Sequence, residues 1–362
     1  MAGTTETRSR RRSAVRAIRT PWIVSVALLA ILVICAVRFP GSTHTLQPYT
    51  DHVRHEYAAW AFLKIGTRIW TEPLGDWNAS GLFVHDLWSS MPHVHPPGSV
   101  LLFLPYGAAV NFGVIPDEAV HVLMVAMFGA GAIAAAVALW LALRRVYPLA
   151  LAGVVTALAG IELIHWGLNG FFDPLAVFTA LGGILLLQRG RPGPAVLVLA
   201  LSLSLHYRLW YLVPVAAAAA ISHRRFDLRT GIASAVLGLS ALPLLPLGSF
   251  LRDLPVTAGF SPNPLYGELL AAVAAAAVMV LVAVSERSVV AVLATAAATV
   301  MILFNPQWQP WYAIAFLPLL PLVRSIPAQA ALTVAWVQLA LLSPEALELP
   351  ALLRLLGEGL GI

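Results

Sequence analysis

The chain has 362 residues, 59% of them hydrophobic and 11% charged, with a formal net charge of +5 and a mean hydropathy of +0.83. Soluble domains carry roughly a quarter charged residues, so the soluble class is excluded, and nothing in the charge pattern calls for a nucleic-acid partner. Apolar stretches of about 20 residues, enough to cross a hydrocarbon core of roughly 30 Å, recur from one end to the other.

Only helices satisfy their own backbone in lipid at this hydrophobicity. The expected fold is therefore all-α: a polytopic integral membrane protein with about 11 transmembrane helices. A single membrane domain over 21–343 is expected, between a basic tail, 1–20, and a C-terminal tail, 344–362.

At the start, Arg8, Arg10, Arg11, Arg12, Arg16 and Arg19 precede an apolar run from Pro21 to Val37. That run is too long for a secretory signal core and ends in Arg38-Phe39-Pro40, so it reads as an uncleaved span with its basic end in the cytoplasm. The single cysteine, Cys35, lies inside it, so disulfides contribute nothing. The polar-aromatic stretch 41–97 then forms a first extracytoplasmic loop with juxtamembrane helices, too long for a plain connector.

Further spans are expected near 118–143, 148–164, 171–188, 193–206, 209–222, 230–249, 267–284, 288–304, 311–323 and 327–343. Segment 98–115 is apolar and either crosses or dips into the membrane and returns. A crossing would put Arg144-Arg145, Arg189, Arg191 and His223-Arg224-Arg225 outside, whereas a dip places all of them, with Arg287, in the cytoplasm. Basic residues in short loops favour the cytoplasmic face, so the dip is preferred. The Ala-rich runs Ala132–Ala138, Ala216–Ala220 and Ala274–Ala277 suit close helix packing in lipid.

On this topology the side chains capable of chemistry gather on the extracytoplasmic side. Tyr49-Thr50-Asp51-His52-Val53-Arg54-His55-Glu56-Tyr57 opens an amphipathic stretch that runs to Trp70. Asp51 there could serve as a general base, and an interfacial helix with snorkelling charges is the other reading. Asp173 sits at the mouth of a span before Pro174, where a helix cap and a sugar- or ion-binding carboxylate are both compatible with the pattern. His206-Tyr207-Arg208 lies between two apolar runs; an arginine at depth must face protein or a wet cavity, and its fork suits a phosphate. His93 and His95 are too few by themselves for a metal site, and Pro96-Pro97 marks an extended approach to the membrane. Gln307, Trp308, Trp311 and Tyr312 fit an aromatic interfacial belt or a carbohydrate-binding wall. Asn78-Ala79-Ser80 matches a glycosylation sequon, which has meaning only in a eukaryotic lumen.

Taken in order, these segments resemble the GT-C superfamily of polyprenyl-phosphate-sugar-dependent glycosyltransferases. They are most similar to the GPI mannosyltransferase I catalytic subunit and its bacterial relatives. Tyr49-Thr50-Asp51 resembles the family's Tyr-Thr-Asp start of the first lumenal loop, and His95-Pro96-Pro97 with Leu101-Leu102-Phe103-Leu104-Pro105 its Tyr-Thr-Pro-Leu stretch. Asn169-Gly170-Phe171-Phe172-Asp173 stands for Arg-Gly-Asn-Ala-Asp, and His206-Tyr207-Arg208-Leu209-Trp210 for His-Phe-Lys-Ile-Tyr. Gln307-Trp308-Gln309-Pro310-Trp311-Tyr312 is similar to Gln-Tyr-Phe-Leu-Trp-Tyr. The family's Asp-x-Asp is not complete here, because Asp51 is followed by His52 and Val53.

The resemblance implies transfer of a sugar, most often mannose, from a polyprenyl-phosphate donor to a lipid or glycan acceptor, with inversion. It implies Asp51 as base and Arg208, His206 and Tyr207 around the donor phosphate. Asp173, Glu56, His55, His95, Gln307, Trp308 and Trp311 would be set about sugar and acceptor. The resemblance makes no cofactor certain; it leaves room for a divalent metal, and the missing second acid puts an obligate metal in doubt. A lipid-linked-sugar transporter or flippase, or a non-catalytic membrane subunit, are the alternative classes; the first would show polar groups through the membrane depth and internal repeats. The Ala- and Arg-rich composition points to a bacterium of high genomic GC content, hence the inner membrane.

Overall fold

A computed structural model describes residues 51–74, 92–115, 117–224, 226–240, 269–304 and 310–341. Every regular element among them is helical. Helix α1 spans Asp51–Ile65 and runs into a 3₁₀ turn, Gly66–Trp70; α2 spans Pro97–Asn111, α3 Asp117–Leu143, α4 Leu149–Leu168, α5 Asp173–Gln188 and α6 Pro192–Leu205. A short 3₁₀ helix, Tyr207–Leu212, leads into α7, Val213–His223, and α8 follows over Leu228–Ser240. Then come α9, Leu269–Ser285, α10, Val289–Phe304, a 3₁₀ helix over Pro310–Leu322, and α11, Ile326–Leu341.

These elements coincide with the apolar runs of the sequence. By length and composition two of them, Val122–Leu143 and Leu149–Leu168, are long and apolar enough to cross a membrane, and other apolar helices are 10–17 residues long. The first apolar run, 21–37, lies outside the described residues.

Proline placement explains where these helices begin. Pro97, Pro174, Pro192 and Pro214 occupy first-turn positions, where a missing N–H is no loss. Between α4 and α5 the chain reverses at Gly170, whose φ of 86° is open to glycine. Small residues then set the helix spacing. A Cβ on Gly167 would lie 2.9 Å from the Phe128 carbonyl oxygen, and one on Gly98 would lie 2.6 Å from that of Ser204. So α4 packs backbone-close on α3, and the start of α2 on the end of α6.

The segment 311–323, expected as a span, is largely a 3₁₀ helix, Pro310–Leu322, rather than an α-helix. Pro318 and Pro321 remove backbone donors from its second half. At about 2.0 Å rise per residue a 3₁₀ helix reaches a third farther than an α-helix of the same length. Ala313, Ile314, Leu317 and Leu320 are fully enclosed, so this element is the central strut of the bundle.

Segment 98–115 forms most of α2, a helix of 15 residues and about 22 Å, short of a hydrocarbon core of roughly 30 Å. Phe103 packs on Phe128, the Tyr106 hydroxyl on the Met127 sulfur, and Gly107 against Trp60. Those contacts hold α2 to α1 and to the first half of α3. The amphipathic expectation for 51–70 is corrected over part of its stretch: His55, Glu56, Tyr57, Ala58, Ala59, Trp60 and Ala61 are all buried, while Leu63, Lys64, Thr67 and Arg68 are exposed. An interfacial helix hides one stripe, whereas this turn of α1 is enclosed on every side.

The helix ends sort into two groups. At one end Gln188 Nε2 donates to the Ala142 and Pro321 carbonyls, Arg145 to the Gln188 carbonyl, the Tyr147 hydroxyl to the Gln329 carbonyl, and Gln329 Nε2 to the Val146 carbonyl. His223 bonds Asp227 at 2.9 Å, and Asp227 caps α8 through the Thr230 N–H. The His223 and Thr230 bonds hold the Asp227 carboxyl down at about 2.

The clip that closes this end is Glu286. Its carboxylate accepts the backbone N–H groups of Arg287 and Ser288 on its own turn, and those of Arg324 and Ser325 between the strut and α11. Burial opposes ionisation, and those four N–H groups outweigh it, keeping the Glu286 carboxyl below the ordinary range. A depressed folded-state value stabilises above the unfolded value of about 4.3 and is lost as pH falls through the folded one. Glu286→Ala is expected to cost about 2 kcal/mol, read as a lower melting midpoint in detergent at pH 7. The gap to wild type should narrow below about pH 4; a gap independent of pH would show that the carboxylate charge is not what closes the clip.

Candidate functional site

The other end of the bundle collects the polar residues. Asp173 is the first residue of α5, His206 and Arg208 flank the start of the 207–212 helix, and Tyr312 heads the strut. All four are buried, Asp173 to 2% exposure and Arg208 to 7%. Asp173 Oδ1 lies 3.2 Å from His206 Nε2 and 3.3 Å from Arg208 Nη1. The Arg208 guanidinium carbon sits 3.1 Å from the centre of the Tyr312 ring and 5.1 Å from that of Tyr207. A planar cation between aromatic faces is favourable chiefly because it is desolvated.

The histidine in this cluster has a defined tautomer. His206 Nδ1 accepts the Arg208 backbone N–H at 3.1 Å, capping the 207–212 helix. An accepting Nδ1 leaves the proton on Nε2, which donates to Asp173. The 3.1 Å approach of Arg208 Nη1 to that same Nε2 then joins two donors, and the carboxylate is what holds them together. Ring contacts complete the fit, with Phe172 stacked on His206 at 5.3 Å.

For Asp173 the cap role is not observed, because Phe172 occupies the cap position without a side-chain bond and the carboxylate turns to His206 and Arg208. Its second oxygen, Oδ2, is buried and makes no hydrogen bond among the described residues. His95 reaches the cluster, its ring 5.1 Å from His206 and 5.8 Å from Tyr207, while its carbonyl takes the Trp70 indole N–H. His55 lies one turn into α1 and meets Phe172 at 4.3 Å and His95 at 4.6 Å. Glu56 is buried beside it in sequence.

Trp311 forms an aromatic wall with Phe171 at 4.2 Å and Trp166 at 5.3 Å. Gln307 and Trp308 lie outside the described residues, as does the side chain of Asp51. The Asp51 backbone opens α1, the helix whose next turn carries His55 into this cluster.

His55, His93 and His95 are mutual neighbours with ring centres 4.6–5.6 Å apart. Their rings meet edge-on or tilted, and His93 Nε2 is 3.4 Å from the Ser99 hydroxyl. Among the described residues no group of three or more His, Cys, Asp or Glu side chains is placed to hold a metal ion. Glu162, inside α4, is a buried acid to which sequence reasoning assigned no role; the signal was present, an acidic residue within an otherwise apolar run.

No family model matches this chain, and neither a curated protein nor a solved structure matches it.

An arginine deprived of a buried carboxylate partner typically destabilises by about 3–5 kcal/mol. Asp173→Asn should show a loss of that order in thermal melting of the detergent-solubilised protein, and Asp173→Asn with Arg208→Gln should recover part of it. Additive losses in the double variant would mean that the pair is not energetically coupled.

Proposed function

We propose that this chain is a membrane-embedded, inverting glycosyltransferase of the GT-C type. It takes a sugar, most often mannose in that class, from a polyprenyl-phosphate donor at the extracytoplasmic face of a bacterial inner membrane. One observation carries the reading: a guanidinium enclosed at one end of an apolar helical bundle, seated between aromatic rings and steadied by a carboxylate and a histidine. A buried, pre-oriented cation at the mouth of a lipid-compatible bundle suits an anionic group that arrives attached to a lipid.

The proposed chemistry is a single displacement. The Asp51 carboxylate takes the proton of the acceptor hydroxyl as its oxygen attacks the anomeric carbon. The bond from that carbon to the phosphate oxygen breaks, and polyprenyl phosphate leaves with the electron pair. Arg208 meets the negative charge that grows on the leaving oxygen. A guanidinium has five N–H donors in a planar fork, so service to Asp173 through Nη1 is compatible with a phosphate on the fork. His206 keeps the fork in place by capping the helix that carries it, and Tyr207 and Tyr312 cover its faces. The lack of a hydrogen-bond partner for Asp173 Oδ2 among the described residues supports a role for it in accepting a hydrogen bond from a sugar or acceptor hydroxyl. The bundle reads as polytopic, with the basic end in the cytoplasm and the Asp173–Arg208 end outside.

In purified protein supplied with polyprenyl-phosphate mannose, Asp51→Asn is expected to lower kcat by about 10²–10⁴. Near-normal turnover would remove Asp51 from the role of base, and the absence of transfer in wild type would favour a transporter or a subunit. Arg208→Ala should weaken use of the donor more than use of the acceptor; equal losses would argue against phosphate binding.

A further inference from the structure

Glu162 is 7% exposed and sits in the second half of α4, within the span Leu149–Leu168. It makes no hydrogen bond or ion pair among the described residues. Other buried polar side chains between helices are met at least in part: Gln188 and Gln329 donate through Nε2 to carbonyls, although their Oε1 atoms have no partner among the described residues, and Glu286 accepts four backbone N–H groups. Leaving a carboxyl unpaired in an apolar setting costs several kcal/mol, and a leucine of similar volume would pack there without that penalty. A purely structural role does not explain the residue.

Four positions on from Glu162, on the same face of α4, lies Trp166. Side chains on a helix lean toward its N-terminus, so the Trp166 ring covers the turn that carries Glu162. That ring also meets Trp311 at 5.3 Å and Phe171 at 5.3 Å. Trp311 adds a second unsatisfied group, because its indole Nε1 is buried and without a hydrogen-bond partner among the described residues. A buried carboxyl one helical turn before Trp166 and the unpartnered indole N–H of Trp311 thus belong to the neighbourhood of one aromatic wall, whose member Phe171 is followed in the chain by Phe172 and Asp173.

The chemistry narrows the ligand. The carboxyl disfavours an anion, and one acid without companions does not hold a divalent cation. An indole N–H donates only, so its partner must accept, while the carboxylate needs a partner that donates. A hydroxyl does both, and a pyranose adds a C–H face that packs on Trp. We infer that Glu162 and the Trp311 indole N–H, both in the neighbourhood of Trp166, form a hydroxyl-reading sugar subsite beside the Asp173–Arg208 pair. The inference rests on the glycosyltransferase reading and makes Glu162 a determinant of which sugar is accepted.

Two measurements on the full chain in lipid nanodiscs test it. In the first, saturation-transfer NMR follows the methyl glycosides of mannose, glucose and galactose. Wild type should show transfer for at least one, and Glu162→Leu should lose most of that signal while retaining its melting midpoint. An unchanged signal in the variant, or no signal from any glycoside in wild type, overturns the subsite.

In the second, sugar transfer is compared between polyprenyl-phosphate mannose and its four monodeoxy analogues. Wild type should reject one analogue by roughly 10²-fold or more, as a site that reads a hydroxyl does. Glu162→Leu should erase that discrimination, and Glu162→Gln should keep part of it. Equal loss on mannose and on every analogue overturns the specificity role. If wild type binds glycosides through Glu162 yet transfers nothing from any donor, the transferase reading fails and the sugar subsite stands.

Discussion

Asp173 is the constraint around which this end of the molecule is organised. One carboxylate oxygen is shared by the His206 imidazole and the Arg208 guanidinium, all three enclosed by apolar packing. A charge in such a place is tolerated only with its counter-charge in contact. The helices that carry these residues are therefore not free to slide relative to each other. Shifting α5 by one residue would remove the carboxylate from the arginine, and the Arg208 backbone is itself fixed by the His206 cap. The Tyr312 ring, laid on the guanidinium, brings the central strut into the same arrangement.

The strut transmits that order through the bundle. The Tyr211 hydroxyl donates to the Ala315 carbonyl at 2.6 Å, tying the arginine-bearing helix to the strut one turn below Tyr312. At the far end the strut's last carbonyls and the backbone just beyond it are gripped by Gln188 and Glu286. A 3₁₀ helix forms poorer hydrogen bonds than an α-helix and is uncommon over such a length, so its neighbours must supply what its own ladder lacks. Close packing by Gly167 and Gly98 elsewhere leaves the polar residues at the site end little room to turn away. The outcome is a mostly apolar body in which Asp173 Oδ2 and Trp311 Nε1, at the site end, are among the buried polar atoms with no hydrogen-bond partner among the described residues.

Much of this was legible in the sequence for plain physical reasons. Long apolar runs become helices because a helix satisfies its own backbone where its surroundings are apolar, so the positions of α3 to α7 and α9 to α11 follow from hydropathy. Arg145, Arg189, His223 and Arg287 occupy one end, and His206, Arg208 and Asp173 the other, because consecutive helices alternate in direction. Local signals misled where burial is not periodic. The turn His55–Ala61 mixes charge with apolar residues and reads as amphipathic, yet it is enclosed on all sides by partners far away in the chain.

Composition and spacing by themselves determined the helical class, the segments, the two-ended division of charge and the identity of the polar residues that gather together, since each depends on a residue and its near neighbours. Tertiary structure alone decided that Asp173 grips Arg208 rather than capping its helix, that Tyr312 covers a guanidinium 104 positions earlier in the chain, and that Glu162 is buried within its helix. Those are contacts between segments distant in sequence, and their energies depend on desolvation, which no local pattern records.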